Sequence, residues 1–496
     1  MNLLACKPIE QLCAEARQSG DATLRRTLGT FELTCLGIGC TIGVGIFVLT
    51  GTVAAQHAGP AVVISFILAS FACLLAGLCY AELASMIPVA GSAYSYTYAV
   101  LGEVFAWLVG WCLVLEYLLA GSVVAIGWSG YAQSALRDIG LRLPDAISRS
   151  PFSGDHLDVL ALTGSIVDLP AVLLMLACTA VMLGGLRLST RINNLMVCGK
   201  IAAILVVGVA GVIHADPANW SPFLPANTGV SGAYGWTGVL QGAAILFFAY
   251  VGFDAVSTMA QETRNPQRTI PFSLIGTLAV CTALYVLVSL AITGLADYRE
   301  LDVADPIYVA LDRGGPALAW AKSIVSVVVV FGLFSVLIVT LLGQTRIFYA
   351  MGQDGLLPAC FARVSPRTGT PQMSTIVTGV VAAIAAGFLP LTVLGELISM
   401  GTLLAFSVVC IGVIVLRRTK PDMPRAFRVP CSPWLPAIGV LSCTYLMWSL
   451  PGSTWMRLLL WLAVGGLVYG LYGVRHSKAQ ASAIRGNALG GKAESV

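Results

Sequence analysis

From about residue 32 onward the chain is a succession of apolar runs separated by short polar links, each run close to the ~20 residues a helix needs to cross a bilayer. The runs lie near 32–56, 60–86, 103–133, 170–187, 191–213, 234–261, 271–294, 317–348, 373–390, 392–416, 433–450 and 455–474. A span surrounded by lipid must satisfy its backbone within itself, so the predicted fold is an all-α integral membrane protein of about 12 transmembrane helices. The third and eighth runs are long enough to overhang the membrane.

Two of these runs break their own pattern. The first contains GIGCTIGVGIFVLTG (residues 37–51), with glycine at 37, 39, 43, 45 and 51. This spacing does not keep to one face of a helix, which argues against helix packing as its sole purpose. In the sixth run, FFAYVGFDAVSTMAQE (residues 247–262), Gly252 and Asp254 interrupt an aromatic-rich stretch. Backbone that leaves helical geometry at membrane depth is tolerated where it lines a cavity or is covered by protein. Interrupted helices at matching positions of two halves point to a midplane substrate site. With five spans per half, the halves are expected to be inverted relative to each other.

Composition agrees: 57% of residues are hydrophobic, 10% are charged, and the mean hydropathy is +0.86. Such a chain cannot cover a water-facing surface of 496 residues. Orientation follows from the basic residues. With both termini cytoplasmic, about 20 of the 28 Lys+Arg fall inside and about 7 outside. The inner set includes Arg25, Arg26, Arg187, Arg191, Arg264, Arg268, Arg363, Arg367, Arg417, Arg418 and Arg475, whereas the outer loops at 134–169 and 295–316 are rich in acid. The net charge of +4 therefore reports topology, and no nucleic-acid partner is indicated. Residues 1–30 carry charges of both signs and no apolar core, so no cleavable signal is expected. The 14 cysteines lie mostly in spans without CxxC or Cys/His spacing and read as small packing residues.

A broken helix exposes backbone groups of both signs. Free N–H groups at the start of the outer half-helix form a partial positive pole able to hold a carboxylate. Free carbonyls form a negative pole for an ammonium, and an amino-acid headgroup carries both charges. The carboxylate is expected on the amides of Val44, Gly45 and Ile46, and the ammonium on the carbonyls of Thr41, Ile42, Phe248, Ala249 and Val251. Gly43 and Gly45 would permit the close approach, and Phe248 could lie over the site as a gating lid.

Ionisable residues inside spans are costly, at about 2.5–3.5 kcal/mol each at mid-bilayer. Lys200 lies roughly 13 Å deep in the fifth span at 1.5 Å per residue. It is expected to face the bundle interior, either as a proton carrier beside the first break or as a static cation on its carbonyls. Glu116, in WCLVLEYLLAG of the third span, reads as a proton-coupling acid or a helix–helix hydrogen bond. Asp254 reads as a gate latch or helix-orienting acceptor, or else as an acid in a wet inner vestibule. Glu82 and Glu396 lie near span ends and are expected to be solvated. No HExxH, GxSxG, P-loop or His-rich cluster occurs, so no catalytic residue, metal or cofactor is expected.

Together GIGCTIGVGIFVLTG, FFAYVGFDAVSTMAQETRNPQRTIP, TRIFYAMGQDGLLP and MGTLLAF resemble the amino acid–polyamine–organocation (APC) superfamily over about residues 25–475, and most closely its bacterial cationic amino acid transporter (CAT) family. The resemblance implies a 5+5 inverted repeat with discontinuous first and sixth helices, plus two C-terminal helices. It further implies alternating access and L-amino acid uptake, commonly coupled to protons. It places the substrate headgroup on Thr41, Ile42, Gly43, Val44, Gly45 and Ile46 and on Phe248 to Val251, with Phe248 as the gating aromatic. Proton coupling falls on Lys200, with Glu116 and Asp254 as acids of the family pattern.

The chain then divides into a cytoplasmic segment (1–31), a ten-helix transport core (32–416), two further transmembrane helices (417–476) and a disordered cytoplasmic tail (477–496). The expected function is a proton-coupled amino acid symporter of the inner (plasma) membrane. Its partners would be an L-amino acid, protons and the lipid bilayer; a small membrane subunit or homo-oligomer is left open. An exchanger without proton coupling is the alternative. A channel is disfavoured by the lack of a continuous ring of charged or carbonyl groups, and a receptor would bind an amino acid without moving it.

Overall fold

The computed structural model describes residues 6–9, 12, 28–87, 89, 91–153, 161–185, 190–230, 232–259, 263–365, 368, 370–478 and 480. Most of the expected N-terminal segment and the tail beyond residue 480 lie outside the described residues, as do Arg25, Arg26, Arg187 and Arg367.

Apolar runs become helices throughout. The first span is Thr30–Thr41 followed, after a break, by a helical stretch over 45–58; the second is Val62–Met86. The third to fifth are Glu103–Asp138, Leu169–Leu183 and Thr190–Ile213. The sixth is Gly235–Leu246 with Phe247–Tyr250, then, after a second break, Ala255–Thr258. The seventh to tenth are Pro266–Leu295, Ala319–Gln353, Gln372–Phe388 and Leu391–Thr419. Trp434–Ser449 and Gly452–Val468 complete the twelve.

Among the described residues, eight helical segments are by themselves long and apolar enough to cross a membrane, and one of them, Gly45–Met86, joins the second half of the first span to the second span. The fourth, ninth and eleventh helices, of 15, 17 and 16 residues, are shorter than a full crossing. The outer loop after the third span carries a two-stranded antiparallel pairing of Phe152–Ser153 with Ala161–Leu162.

Local chemistry marks several boundaries. Asp168 accepts from the Ala171 N–H at 3.1 Å to cap the fourth span, whose first residues include a proline, and Ser129 of the third span donates to the same carboxylate at 2.7 Å. At the outer end of the first span, Gly59 turns at φ +60, a conformation that favours glycine. The third and sixth spans form the centre: 89% of the apolar window of each is buried, against 22% for the twelfth, which faces outward. The third packs on the eighth and tenth, the second on the seventh, and the inner half of the first on the seventh and fifth.

The structure corrects the reading of two acids. Glu82 is fully buried: Arg417 donates to it through Nε at 3.0 Å, Arg425 Nε lies 3.3 Å away, and the Val429 N–H donates at 2.7 Å. Glu396 is buried against Thr454 and Arg457, with Arg457 Nη1 at 3.4 Å. Both acids lie near span ends as expected, yet cations from later segments fold over them in place of water. Glu82 ties the second span to the tenth and to the segment that follows it, and Glu396 ties the tenth span to the twelfth. Glu82→Gln keeps the shape and removes the charge. The variant should lose about 3–5 kcal/mol, because the buried arginines lose their counter-charge. This would be read as a lower melting temperature in detergent, and an unchanged value would mean that water satisfies the arginines.

Candidate functional site

The first break comes where the glycine pattern placed it. The helix closes with the Ile42 N–H on the Ile38 carbonyl at 2.8 Å, and Ile42 then turns extended (φ −74, ψ 95). The outer half-helix restarts with the Phe47 N–H on the Gly43 carbonyl at 3.3 Å. The amides at its start, from Gly43 to Ile46, therefore fall in a first turn, where no preceding helical carbonyl serves them.

The carbonyls ending the inner half-helix find partners on other spans. Lys200, fully buried, donates from Nζ to Gly39 at 3.0 Å and Ile42 at 3.3 Å. Tyr285 of the seventh span, also buried, places its hydroxyl 2.8 Å from the Thr41 carbonyl and 2.8 Å from that of Ala249. A single hydroxyl thus bridges both broken helices. It has one proton, so it serves one carbonyl at a time.

The sixth-span break is built mostly from its own turn. Phe247–Tyr250 tightens to a 3-10 helix, Val251 swings extended (ψ 135), and Gly252 takes φ +109. A side chain at 252 would also meet the Cys40 carbonyl at 3.0 Å. Asp254 is buried, not vestibular; it accepts from the Gly252 N–H at 3.3 Å and from the Tyr117 hydroxyl at 2.9 Å. Gly45 meets this segment backbone to backbone, since a Cβ there would lie 2.4 Å from the Ala249 Cα. The close approach that Gly45 permits is therefore that of the sixth span. A Cβ on Gly43 would make ordinary contact with Val336 at 3.6 Å.

Between the two breaks lies a cavity of about 490 Å³, its open mouth included. Of the residues expected at the site, Thr41, Gly43, Val44, Gly45, Phe248 and Val251 line it, whereas Ile42, Ile46 and Ala249 pack behind. The Thr41 hydroxyl is buried with no hydrogen-bond partner among the described residues. The opposite wall escaped sequence reasoning: Tyr117, Ala120 and Val124 of the third span and Val336, Val339 and Thr340 of the eighth. The nearest signal was Glu116, one residue from Tyr117. Glu116 itself turns away, accepting from Thr402 at 2.8 Å, and its other oxygen has no partner among the described residues. Lys200, Glu116 and Asp254 thus occupy three separate contacts, and no hydrogen bond joins them among the described residues.

The amino acid permease family profile matches residues 28–468. The chain belongs to the amino acid permease family. It is 48% identical to the methylthioribose transporter of Bacillus subtilis (strain 168), over 96% of this chain and 99% of the relative. It is 42% identical to a branched-chain amino acid permease of the same organism, over 95% of this chain and 98% of the relative. It is 38% identical to the cationic amino acid transporter 4 of Mus musculus, over 86% of this chain and 65% of that longer protein. The APC-type fold follows, and the permease is a transporter, not an enzyme.

The geometry separates two kinds of change at the site of this permease. Gly45→Val forces the sixth span away and should weaken amino-acid binding at least about tenfold, with about 1–3 kcal/mol of overpacking strain. An unaltered dissociation constant would remove the crossing of the two breaks from the binding site. Tyr285→Phe keeps the ring and removes the bridge. The expected loss is about 0.5–1.5 kcal/mol of stability, measurable as a lower melting temperature, and equal melting curves would show that the two carbonyls need no donor.

Proposed function

We propose that the permease imports neutral L-amino acids across the inner membrane by alternating access, with proton symport, both termini being cytoplasmic. The observation that carries this reading is the pairing of the two breaks around one cavity. At one end of the first break the free amides of the outer half-helix suit a carboxylate. At the other, carbonyls of the first and sixth spans converge closely enough to share the Tyr285 hydroxyl, which suits an ammonium. Phe248, buried at the cavity edge, serves as the lid. The core over 32–416 works as two inverted five-span halves, a reading supported by the paired breaks and by the packing of the second span on the seventh and of the third on the eighth.

The neutral preference follows from the wall that would face the substrate side chain. Ala120, Val124, Val336 and Val339 are apolar, and no Asp or Glu is among the described lining residues. Asp254 stands close by, but both of its oxygens are already engaged. An unpaired guanidinium or ammonium placed there would be costly. The relative named for branched-chain amino acids fits this wall. The one named for methylthioribose, which lacks the zwitterion, makes that compound a necessary control.

Coupling is assigned to Lys200, whose ammonium closes the first break; loss of its proton would remove the charge that strengthens its bonds to Gly39 and Ile42 and so loosen them. Glu116 and Asp254, buried in the central spans, are the coupling acids, each held by its own partner, Thr402 and Tyr117. The same two carbonyl bonds also suit a permanently charged lysine, and that observation favours the exchanger as the second reading.

Uptake of a radiolabelled amino acid panel, with methylthioribose alongside, into proteoliposomes with and without an inward pH gradient tests the proposal. Gradient-driven accumulation of neutral amino acids is expected; counterflow indifferent to the gradient would instead establish exchange. Lys200→Ala should abolish accumulation against a gradient, and accumulation at the wild-type level would take lysine out of the mechanism.

A further inference from the structure

The eighth span carries a glycine whose purpose is not conformational. Gly332 lies within the helix Ala319–Gln353 and is not among the positive-φ glycines. A glycine in a helix interior is less favourable than alanine, so the position calls for a neighbour that needs the space. That neighbour is Lys200. A Cβ on Gly332 would meet its Cε at 2.8 Å, its Cγ at 3.0 Å and its Cδ at 3.4 Å. These are the three nearest atoms, and all belong to the lysine stem. Two glycines of the fifth span make room for apolar neighbours instead: Gly208 meets the Leu287 side chain at 2.3 Å and Gly211 the Cβ of Ala291 at 2.5 Å.

Lys200 has little freedom to yield. It is fully buried, and its ammonium is held by Gly39 at 3.0 Å and Ile42 at 3.3 Å. The second bond is already near the outer limit for N–H···O, so a shift of a few tenths of an ångström would break it. The titratable groups facing the ammonium are Cys40 of the first span and Cys281 of the seventh, with Asp254 of the sixth beyond Cys40. None of these hydrogen-bonds the lysine among the described residues, so the two carbonyls alone hold it.

We propose that Gly332 is a positioning residue for Lys200: its bare flank is the groove through which the lysine stem reaches the carbonyls of the first break. The eighth span thereby helps to close that break, although among the described residues it donates to neither Gly39 nor Ile42 itself. Its next turns support the same geometry. Val336 lies against Gly43, and Val339 and Thr340 line the cavity. Gly343, about three turns on and nearly on the same face, seats the ring of Tyr117, whose hydroxyl holds Asp254; a Cβ there would meet Tyr117 Cε1 at 2.7 Å. One face of the eighth span thus seats the lysine at one end and the aspartate's partner at the other.

This inference rests on the binding site proposed above, but the test distinguishes the two. Gly332→Ala, Lys200→Ala and the double variant are compared by melting temperature in detergent and by the dissociation constant for tritiated L-leucine. If Gly332 acts through the lysine, Gly332→Ala weakens binding about tenfold and lowers the melting temperature. The double variant is then no worse than Lys200→Ala alone, because truncating the lysine vacates the groove. Should Gly332→Ala fail to fold, recovery of folding in the double variant makes the same point.

A double variant that loses a further tenfold in affinity or melts below both single variants would overturn the proposal. So would a Gly332→Ala protein indistinguishable from wild type. Gradient-driven uptake separately reads the coupling role of Lys200. Its persistence in Lys200→Ala would defeat the coupling assignment while leaving the melting-temperature comparison intact as a test of Gly332.

Discussion

A helix cut in the middle of an apolar layer leaves carbonyls with no partner, and the site depends on how those carbonyls are satisfied. Each buried polar group left without a hydrogen bond costs roughly 1–3 kcal/mol or more. The inner half of the first span meets this demand from outside itself: Lys200 of the fifth span takes Gly39 and Ile42, and Tyr285 of the seventh takes Thr41. The break is therefore a property of the assembled bundle. The glycines permit the break locally, and donors from the fifth and seventh spans hold it open.

The second break obeys the same constraint by a local route. Gly252 supplies the left-handed turn, the Asp254 carboxylate accepts the Gly252 N–H, and Tyr117 and Tyr285 add one hydrogen bond each from other spans. The two breaks thus differ in what can disturb them. A displacement of the fifth or seventh span acts directly on the first break, where two tertiary donors hold three carbonyls. The sixth-span turn depends on its own residues and can move as a unit. The Tyr285 hydroxyl couples the two, because its proton cannot be given to Thr41 and Ala249 at once.

What was legible in the sequence was whatever a short stretch determines by itself. The breaks could be read because glycine and aspartate at mid-depth contradict the lipid-facing pattern around them. The inward orientation of Lys200 followed from depth and charge, since no interior lysine can stay unpaired in a span. The third- and eighth-span wall could not be read, because Ala120, Val124, Val336 and Val339 look like any apolar span residue until the bundle brings them together. Tyr285 was hidden among many span aromatics. Glu82 and Glu396 were misread because solvation was inferred from nearness to a span end, whereas Arg417, Arg425 and Arg457 reach them from distant segments. Gly45 was assigned to the substrate, yet its missing side chain is required by Ala249.

The proposed binding seat, made of peptide groups, has a consequence for selectivity. Backbone amides and carbonyls present the same poles whatever side chains flank them, so such a seat can recognise a zwitterion without committing to a side chain. Discrimination then falls to the opposite wall, where Tyr117, Ala120 and Val124 face Val336, Val339 and Thr340. Apart from Tyr117, whose hydroxyl holds Asp254, those positions can change in size and polarity without disturbing the hydrogen bonds of the breaks, because none of the other five donates to Gly39, Thr41 or Ile42. Gly332 and Gly343 lie on that same eighth span, and there the freedom ends: a side chain at either would press on Lys200 or on the ring of Tyr117. The eighth span is thus divided between positions free to tune the substrate and positions held to glycine by their neighbours.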